Sequence, residues 1–207
     1  MKLGSVLASI LALACVGSAS AGDPLAFEFT SQGGPVLIPQ IPLANSPTEG
    51  FTIIPLTIPG LPGNGRIDTL ELVINDLTHT DSGDLDILLV HPTGGTNALE
   101  IMTDRGVQGV LNLADLVFSD NASQLPIEIG TITPGTYLPE GIQGFDVFQG
   151  LLGAGTWFLL LTDDAGGDTG SVASYTLRGT AVPEPMTLSL LAFGALAMAR
   201  RRWTLSA

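Results

Sequence analysis

Asp163, Asp164 and Asp168 fall within six residues, with Gly166 and Gly167 between them. Those glycines let the backbone curl so that its carbonyls turn toward the carboxylates. Calcium takes about six to eight oxygens in a flexible geometry, and carboxylates in such a turn meet that need better than any other side chain. The chemistry this spacing suggests is cation binding. Asp120, beside Asn121, is a further carboxylate for the same site or a second one. Each of these could instead cap a turn by accepting from nearby backbone N–H groups, a frequent use of Asp. Clustered carboxylates also repel one another, which favours a cation among them.

Other chemistries lack their parts. His79 and His91 are the two histidines, too few and too far apart in sequence to suggest a zinc centre, and His79 reads as ordering a strand end through hydrogen bonds. There is no Gly-x-Ser-x-Gly elbow and no His-Glu-x-x-His. Asp163 and Asp164 could imitate a glycosidase pair, but adjacent residues point apart. The reading is therefore non-catalytic. All 20 acidic residues lie between Asp23 and Glu184, where only Arg66, Arg105 and Arg178 oppose them. Such a surface repels nucleic acid and anionic membranes and attracts cations. The sequon Asn121-Ala122-Ser123 is read as chance.

The elements that must hold these residues are strands. Leu70, Leu72 and Ile74 share one face of a strand, as do Leu85, Ile87 and Leu89, with Asp84 and Asp86 opposite. Trp157 to Leu161 is apolar without alternation, the pattern of a central strand covered on both faces. Tyr175 and Leu177 mark a last strand, and Phe51 to Ile58 an earlier one that Pro55 confines to an edge or bulge. Turns at Pro92-Thr93-Gly94-Gly95, Thr133-Pro134-Gly135, Gly153-Ala154-Gly155 and Gly166-Gly167 join them. The pattern predicts an all-β fold, a sandwich of two antiparallel sheets with little helix.

A resemblance then emerges along the chain. His79-Thr80, Gly83-Asp84-Leu85, His91-Pro92-Thr93-Gly94-Gly95-Thr96, Phe118 with Asp120 and Ala122, Gly135-Thr136-Tyr137 with Pro139, Gly150, Gly155-Thr156-Trp157, Thr162-Asp163 and Gly167-Asp168-Thr169-Gly170 follow one another. In this order and spacing, from about Phe51 to Arg178, they resemble the P domain (P/Homo B) that accompanies kexin- and furin-like subtilisin proteases. The resemblance implies a jelly-roll β-sandwich that often binds calcium, and it adds Asp84 to the candidate metal ligands Asp120, Asp163, Asp164 and Asp168. The subtilisin signatures that normally precede a P domain are absent from the chain. Gly94-Gly95 is one residue longer than the family's usual turn. Tyr175 stands where the family mostly has Trp, a place the sequence reading gives to the sandwich edge.

Both ends read as addresses. Lys2 precedes an apolar run from Leu3 to Val16, and Ala19-Ser20-Ala21 is a small-x-small cleavage pattern, so residues 1–21 are expected to be a signal peptide, helical and removed by signal peptidase. A lipoprotein reading would acylate Cys15, but Ala12 stands where that motif prefers Leu. Because Cys15 is the one cysteine, the exported domain would contain no disulfide. Val182-Pro183-Glu184-Pro185, an apolar helix over residues 186–199 and the basic stop Arg200-Arg201-Arg202 occur in that order. They resemble the PEP-CTERM sorting signal of Gram-negative bacteria. The apolar segment is short against the roughly 20 residues of a stable span, which suits transient inner-membrane insertion. The resemblance implies processing by an exosortase and release to the cell surface, outer membrane or extracellular matrix. The expected organisation is a signal peptide at 1–21, a Pro/Gly-rich segment at 22–50, the sandwich at 51–180 and the sorting signal at 181–207. The function expected is adhesion, biofilm or matrix architecture with exopolysaccharide as a partner; the alternative is a module assisting a secreted subtilisin-like protease in trans. Replacing Pro183, Glu184 and Pro185 by alanine should leave the full tail on the chain in the membrane fraction, read by intact mass; normal processing of that variant would refute the sorting motif.

Overall fold

The computed structural model describes residues 23–38, 51–93 and 97–183. Among them, alternation of aliphatic and polar residues produces eleven strands. They are β1 (Leu25–Thr30), β2 (Val36–Ile38), β3 (Phe51–Ile58), β4 (Arg66–His79), β5 (Leu85–Val90), β6 (Ala98–Met102), β7 (Leu111–Phe118), β8 (Gly135–Tyr137), β9 (Gly155–Asp163), β10 (Gly170–Val172) and β11 (Ser174–Val182). Short 3-10 turns occupy Ser82–Asp84 and Gly144–Phe148. These strands belong to a unit spanning Gly22–Glu184.

The strands form two sheets. β4 is the axis of the larger one: β10 and β11 run end to end along one of its edges, from Gly170 opposite His79 to Gly179 opposite Leu70, and β7 lies along the other. β1 and β2 extend this sheet outward from β11 and β10, and β8 adds to β7 in parallel. The smaller sheet has the order β3-β9-β5-β6, all antiparallel. Pro55 sits on the edge strand β3, where its missing N–H interrupts no second ladder.

One core joins the sheets. Leu72, Ile74, Leu116, Phe118 and Leu177 from the larger meet Leu85, Ile87, Leu89, Leu159 and Leu161 from the smaller, all essentially inaccessible to water. Trp157 is fully buried, and its indole Nε1 donates to the Gly153 carbonyl at 2.9 Å. His91 stands edge-on to that ring, centroids 4.7 Å apart, and is itself held between Thr93 and the Leu152 carbonyl. Thr93 N–H donates to His91 Nδ1, so Nε2 carries the hydrogen given to Leu152, and burial lowers the imidazole's proton affinity.

Three features differ from the sequence reading. Tyr175 is fully buried and not at the sandwich edge; its hydroxyl crosses between the sheets and donates to the Trp157 carbonyl at 3.2 Å. β9 does alternate, with Trp157, Leu159 and Leu161 inward and Phe158 and Leu160 partly exposed on the outer face. β1 and β2 carry the larger sheet upstream of residue 51, where composition suggested only a Pro/Gly-rich segment. Val182 ends β11 opposite Arg66, and Pro183 follows it. The expected signal and sorting helices, with Glu184, Pro185, Arg200, Arg201 and Arg202, lie outside the described residues. No helix among the described residues is long and apolar enough to cross a membrane.

Tyr175→Phe should lower the unfolding free energy by about 1–2 kcal/mol in urea titration, because it deletes a buried hydrogen bond while keeping the ring. An unchanged midpoint would show that the hydroxyl contributes nothing to holding the sheets together.

Candidate functional site

The carboxylates gather where β4 and β9 end and β5 and β10 begin. The turn after β4 is made by Asp81, whose Oδ1 accepts from Gly83 N and from Gln108 N, each at 3.0 Å. This N-cap winds Ser82–Asp84 into a 3-10 turn and delivers Asp84 to the start of β5. Across from it, Leu85 is in register with Asp163, and Asp164 N–H donates to the Asp84 carbonyl at 2.9 Å. Asp168 is fastened to the same end: its Oδ1 accepts from the Thr80 hydroxyl at 2.7 Å, while Thr169 N–H donates to that hydroxyl at 2.9 Å. Gly170 follows, and a Cβ there would collide with the His79 ring and the Thr78 carbonyl, so a larger residue would push the loop away from β4.

Electrostatics at this end are those of crowded acids. Burial, then the charges of Asp81 and Asp168, a hydrogen bond with Asp168 and the charge of Asp163 push Asp84 up to about 6 from 3.8. Asp168 therefore stands close enough to Asp84 for its carboxylate to disfavour charge there. Asp163 is completely buried, and burial also raises it. Its Oδ1 accepts from Ala165 N, while Oδ2 lacks a hydrogen bond and faces His79 Nε2 at 3.5 Å. His79 Nδ1 lies 2.5 Å from the Asp81 carbonyl, which can only accept, so Nδ1 carries a hydrogen. His79 lowers the proton affinity of Asp163 and so opposes the rise from burial. His79 thus orders the end of β4, as its position in the sequence suggested, and also compensates Asp163.

Of the five proposed ligands, Asp84, Asp163 and Asp168 come together and two do not join them. Asp164 is exposed and acts electrostatically on Asp86. Burial and the charges of Asp104 and Asp164 push Asp86 up to about 6. Asp120 sits beyond the far end of β7: Leu111 pairs with His79 but Phe118 pairs with Leu72, seven residues and roughly 23 Å along β4. There its Oδ1 accepts from Phe145 N at 3.0 Å and caps the turn at Gly144–Phe148. Gly144 adopts φ +56° against this carboxylate, leaving no room for a Cβ. Asp120 also lines a groove of about 510 Å³ with Glu28, Asp68, Glu71, Asp146 and Arg178, in which Arg178 pairs with Glu71 at 3.0 Å. Among the described residues, no group of three or more His, Cys, Asp or Glu side chains already has the spacing of a metal centre.

Asp81 was missed in the sequence. Its signal was present in Thr80-Asp81-Ser82-Gly83, where an Asp two residues before Gly is an Asx-turn former. The role of His79 against Asp163 had no local signal, since 84 positions separate them.

No family model matches the chain, and no curated protein matches it. Among solved structures it is similar to the crystal structure of the Aeromonas sobria serine protease in complex with the chaperone ORF2, at 14% identity and a TM-score of 0.42, covering 79% of this chain and 28% of that one. It is similar also to the serine protease of Aeromonas sobria, at 16% identity, a TM-score of 0.34, and 72% and 28% coverage. A third likeness is to the infectious bursal disease virus Gt strain, at 14% identity, a TM-score of 0.26, and 96% and 53% coverage. The chain spans little more than a quarter of the first two structures, and none of the three assigns it a family.

In a chelating buffer, stability should fall as pH rises from about 4 to about 6. Asp84 and Asp86 are pushed up to about 6 from 3.8, so over this window the folded chain keeps protons that the unfolded chain has lost. Their contribution is complete below about 3.8 and is lost as pH passes about 6. Denaturant titrations at pH 4, 5, 6 and 7 measure the slope, and Asp84→Asn should flatten it; a slope of opposite sign would show that these acids are compensated.

Proposed function

We propose that this chain is an exported, non-catalytic surface or exopolysaccharide-associated protein whose jelly-roll β-sandwich is stabilised by calcium and serves adhesion or matrix architecture. Signal peptidase would release it after Ala21. After transient insertion in the inner membrane, an exosortase would process it near Val182-Pro183-Glu184-Pro185, leaving the acidic sandwich at the cell surface, on the outer membrane or in the matrix.

The observation that carries the calcium reading is the crowding of Asp81, Asp84 and Asp168 at one end of the sandwich, Asp168 held there by the Thr80 hydroxyl and Asp163 buried behind them. Asp84 and Asp168 are the residues that would hold the ion, with Asp81 adding a third carboxylate. Calcium bound there would supply two positive charges and accept oxygen ligands in a flexible arrangement. Asp163 acts differently: locked to His79 and to Ala165 N, it fixes the start of the loop that carries Asp168. The Thr80 hydroxyl fixes its other end. Asp120 is read as a turn cap and Asp164 as part of the neighbouring outer-face acids.

The test is thermal unfolding of the purified chain in calcium, in magnesium and in excess chelator. Calcium should raise the midpoint more than magnesium does, and at about 100-fold excess over the dissociation constant the gain should approach about 2.7 kcal/mol. The gain should vanish in Asp84→Asn and Asp168→Asn and persist in Asp120→Asn. Identical melting of the unmodified chain in all three buffers would remove calcium from the proposal.

A further inference from the structure

The two sheets close their edges unequally. β3, at one edge of the smaller sheet, carries Pro55, whose nitrogen has no hydrogen to offer another strand. β6, at the other edge, is covered by the chain's own backbone: Glu140 N–H donates to the Ile101 carbonyl at 3.2 Å and Gly141 N–H to the Glu100 carbonyl at 2.9 Å. β1, at one edge of the larger sheet, has neither device and pairs with β11 alone.

Register decides which atoms β1 leaves open. Ser31 N–H donates to the Tyr175 carbonyl at 2.8 Å, and backbone direction in a strand repeats at every second residue, so Phe29, Phe27 and Leu25 face β11 as well. Ala26, Glu28 and Thr30 turn their N–H and C=O groups the other way, and all three residues are exposed. The partner strand agrees: Thr180, opposite Ala26, points its N–H away from β1 to the Thr69 hydroxyl at 3.1 Å. Gln32 Nε2 donates to the Thr30 carbonyl at 3.2 Å and closes that end. What stays open is the N–H and C=O of Ala26 and of Glu28 and the N–H of Thr30, the kind of template on which an extended peptide adds as a further strand.

Charge selects the occupant. Glu28 stands in register with Arg178, but Arg178 turns to Glu71 at 3.0 Å, and among the described residues no cation pairs with Glu28. From Glu28 the groove of about 510 Å³ crosses β11 and β4, past Asp68 and Glu71, to Asp120 and Asp146, with Arg178 the one basic residue in its lining. A strand added about 4.8 Å beyond β1 sets its side chains directly beside that of Glu28, at the mouth of this groove. Pairing β1 with the β1 of a second copy would bring two acidic domains together, and an anionic surface is repelled for the same reason. The chemistry that fits both the open ladder and the groove is an extended peptide with lysine or arginine at alternate positions.

We propose that the free edge of β1 is a strand-addition site for an extended basic segment of a partner protein, whose backbone bonds to Ala26, Glu28 and Thr30 and whose cationic side chains meet Glu28 and the acidic groove. The groove reaches Asp120, at the opposite end of β4 from Asp84, so this site is separate from the calcium reading.

The probe is the blocked peptide acetyl-Thr-Lys-Val-Lys-Val-Lys-Thr-amide, titrated into the purified chain up to about 1 mM, which detects weak binding, and followed by amide NMR. Binding should saturate at one peptide per chain. At saturation the amide protons of Ala26 and Glu28 should exchange with solvent several times more slowly, while those of Phe27 and Phe29, already turned to β11, should hardly change. Two versions of the peptide methylated on alternate backbone nitrogens keep every charge; the one whose N–H groups face β1 should fail to bind. Glu28→Lys, an exposed change whose fold the same spectra report, should weaken the lysine peptide severalfold and tighten its counterpart with glutamate in place of lysine. Ala26→Pro removes an outward N–H without touching a rung to β11 and should weaken both peptides. The proposal is overturned by absence of saturable binding, by binding of both methylated peptides, by protection that maps away from β1, or by an affinity indifferent to Glu28→Lys.

Discussion

Everything else in the sandwich depends on the aromatic residues packed between its sheets, because the unit has no disulfide to close it. Trp157 places the largest buried side chain on β9. Around it, each polar atom that burial would strand finds a partner: the indole N–H at Gly153, the Tyr175 hydroxyl at the Trp157 carbonyl and both nitrogens of His91. An unpaired polar group in such a place would cost about 1–3 kcal/mol, a large fraction of a domain's net stability. The aromatic cluster therefore works only as a set.

The strand pattern was legible for a simple reason: one face of each strand is dry, and a period of two in aliphatic residues reports it directly. Phe51–Ile58 has its bounds as well as its edge position because Pro55 excludes the alternative. β1 and β2 were not legible. They are short strands, and their place is set by rungs to β11 and β10 more than 130 residues away in sequence. Tyr175 was placed at the edge on its chemistry, since a hydroxyl seeks water; the carbonyl waiting on the other sheet was invisible until both sheets existed.

The candidate site was legible in composition and only partly in geometry. A run of aspartates around two glycines announces a loop rich in carboxylates, and Asp84, Asp163 and Asp168 do share one end of the sandwich. The run does not say which way each one points. Strand alternation sends Asp163 inward to His79 and leaves Asp164 outside, acting on Asp86, so two neighbours in sequence serve different clusters. Asp120 was grouped with them by residue type, yet the register of β7 carries it to the opposite end of β4. Residue type named the chemistry; only long-range register could say which residues share it.

Charge gives the molecule two unequal ends and two unequal faces. Acids crowded at the β4–β5 turn are met by backbone N–H groups and by His79, and the burial and repulsion that remain cost stability as pH rises and make that end responsive to cations. On the outer face of the smaller sheet, Leu88, Val90, Phe158 and Leu160 are bordered by Asp86 at that end and by exposed Glu100 on β6. The acids that invite a cation at the strand ends are thus the ones that tie the stability of that end to pH, and one distribution of carboxylates sets both properties.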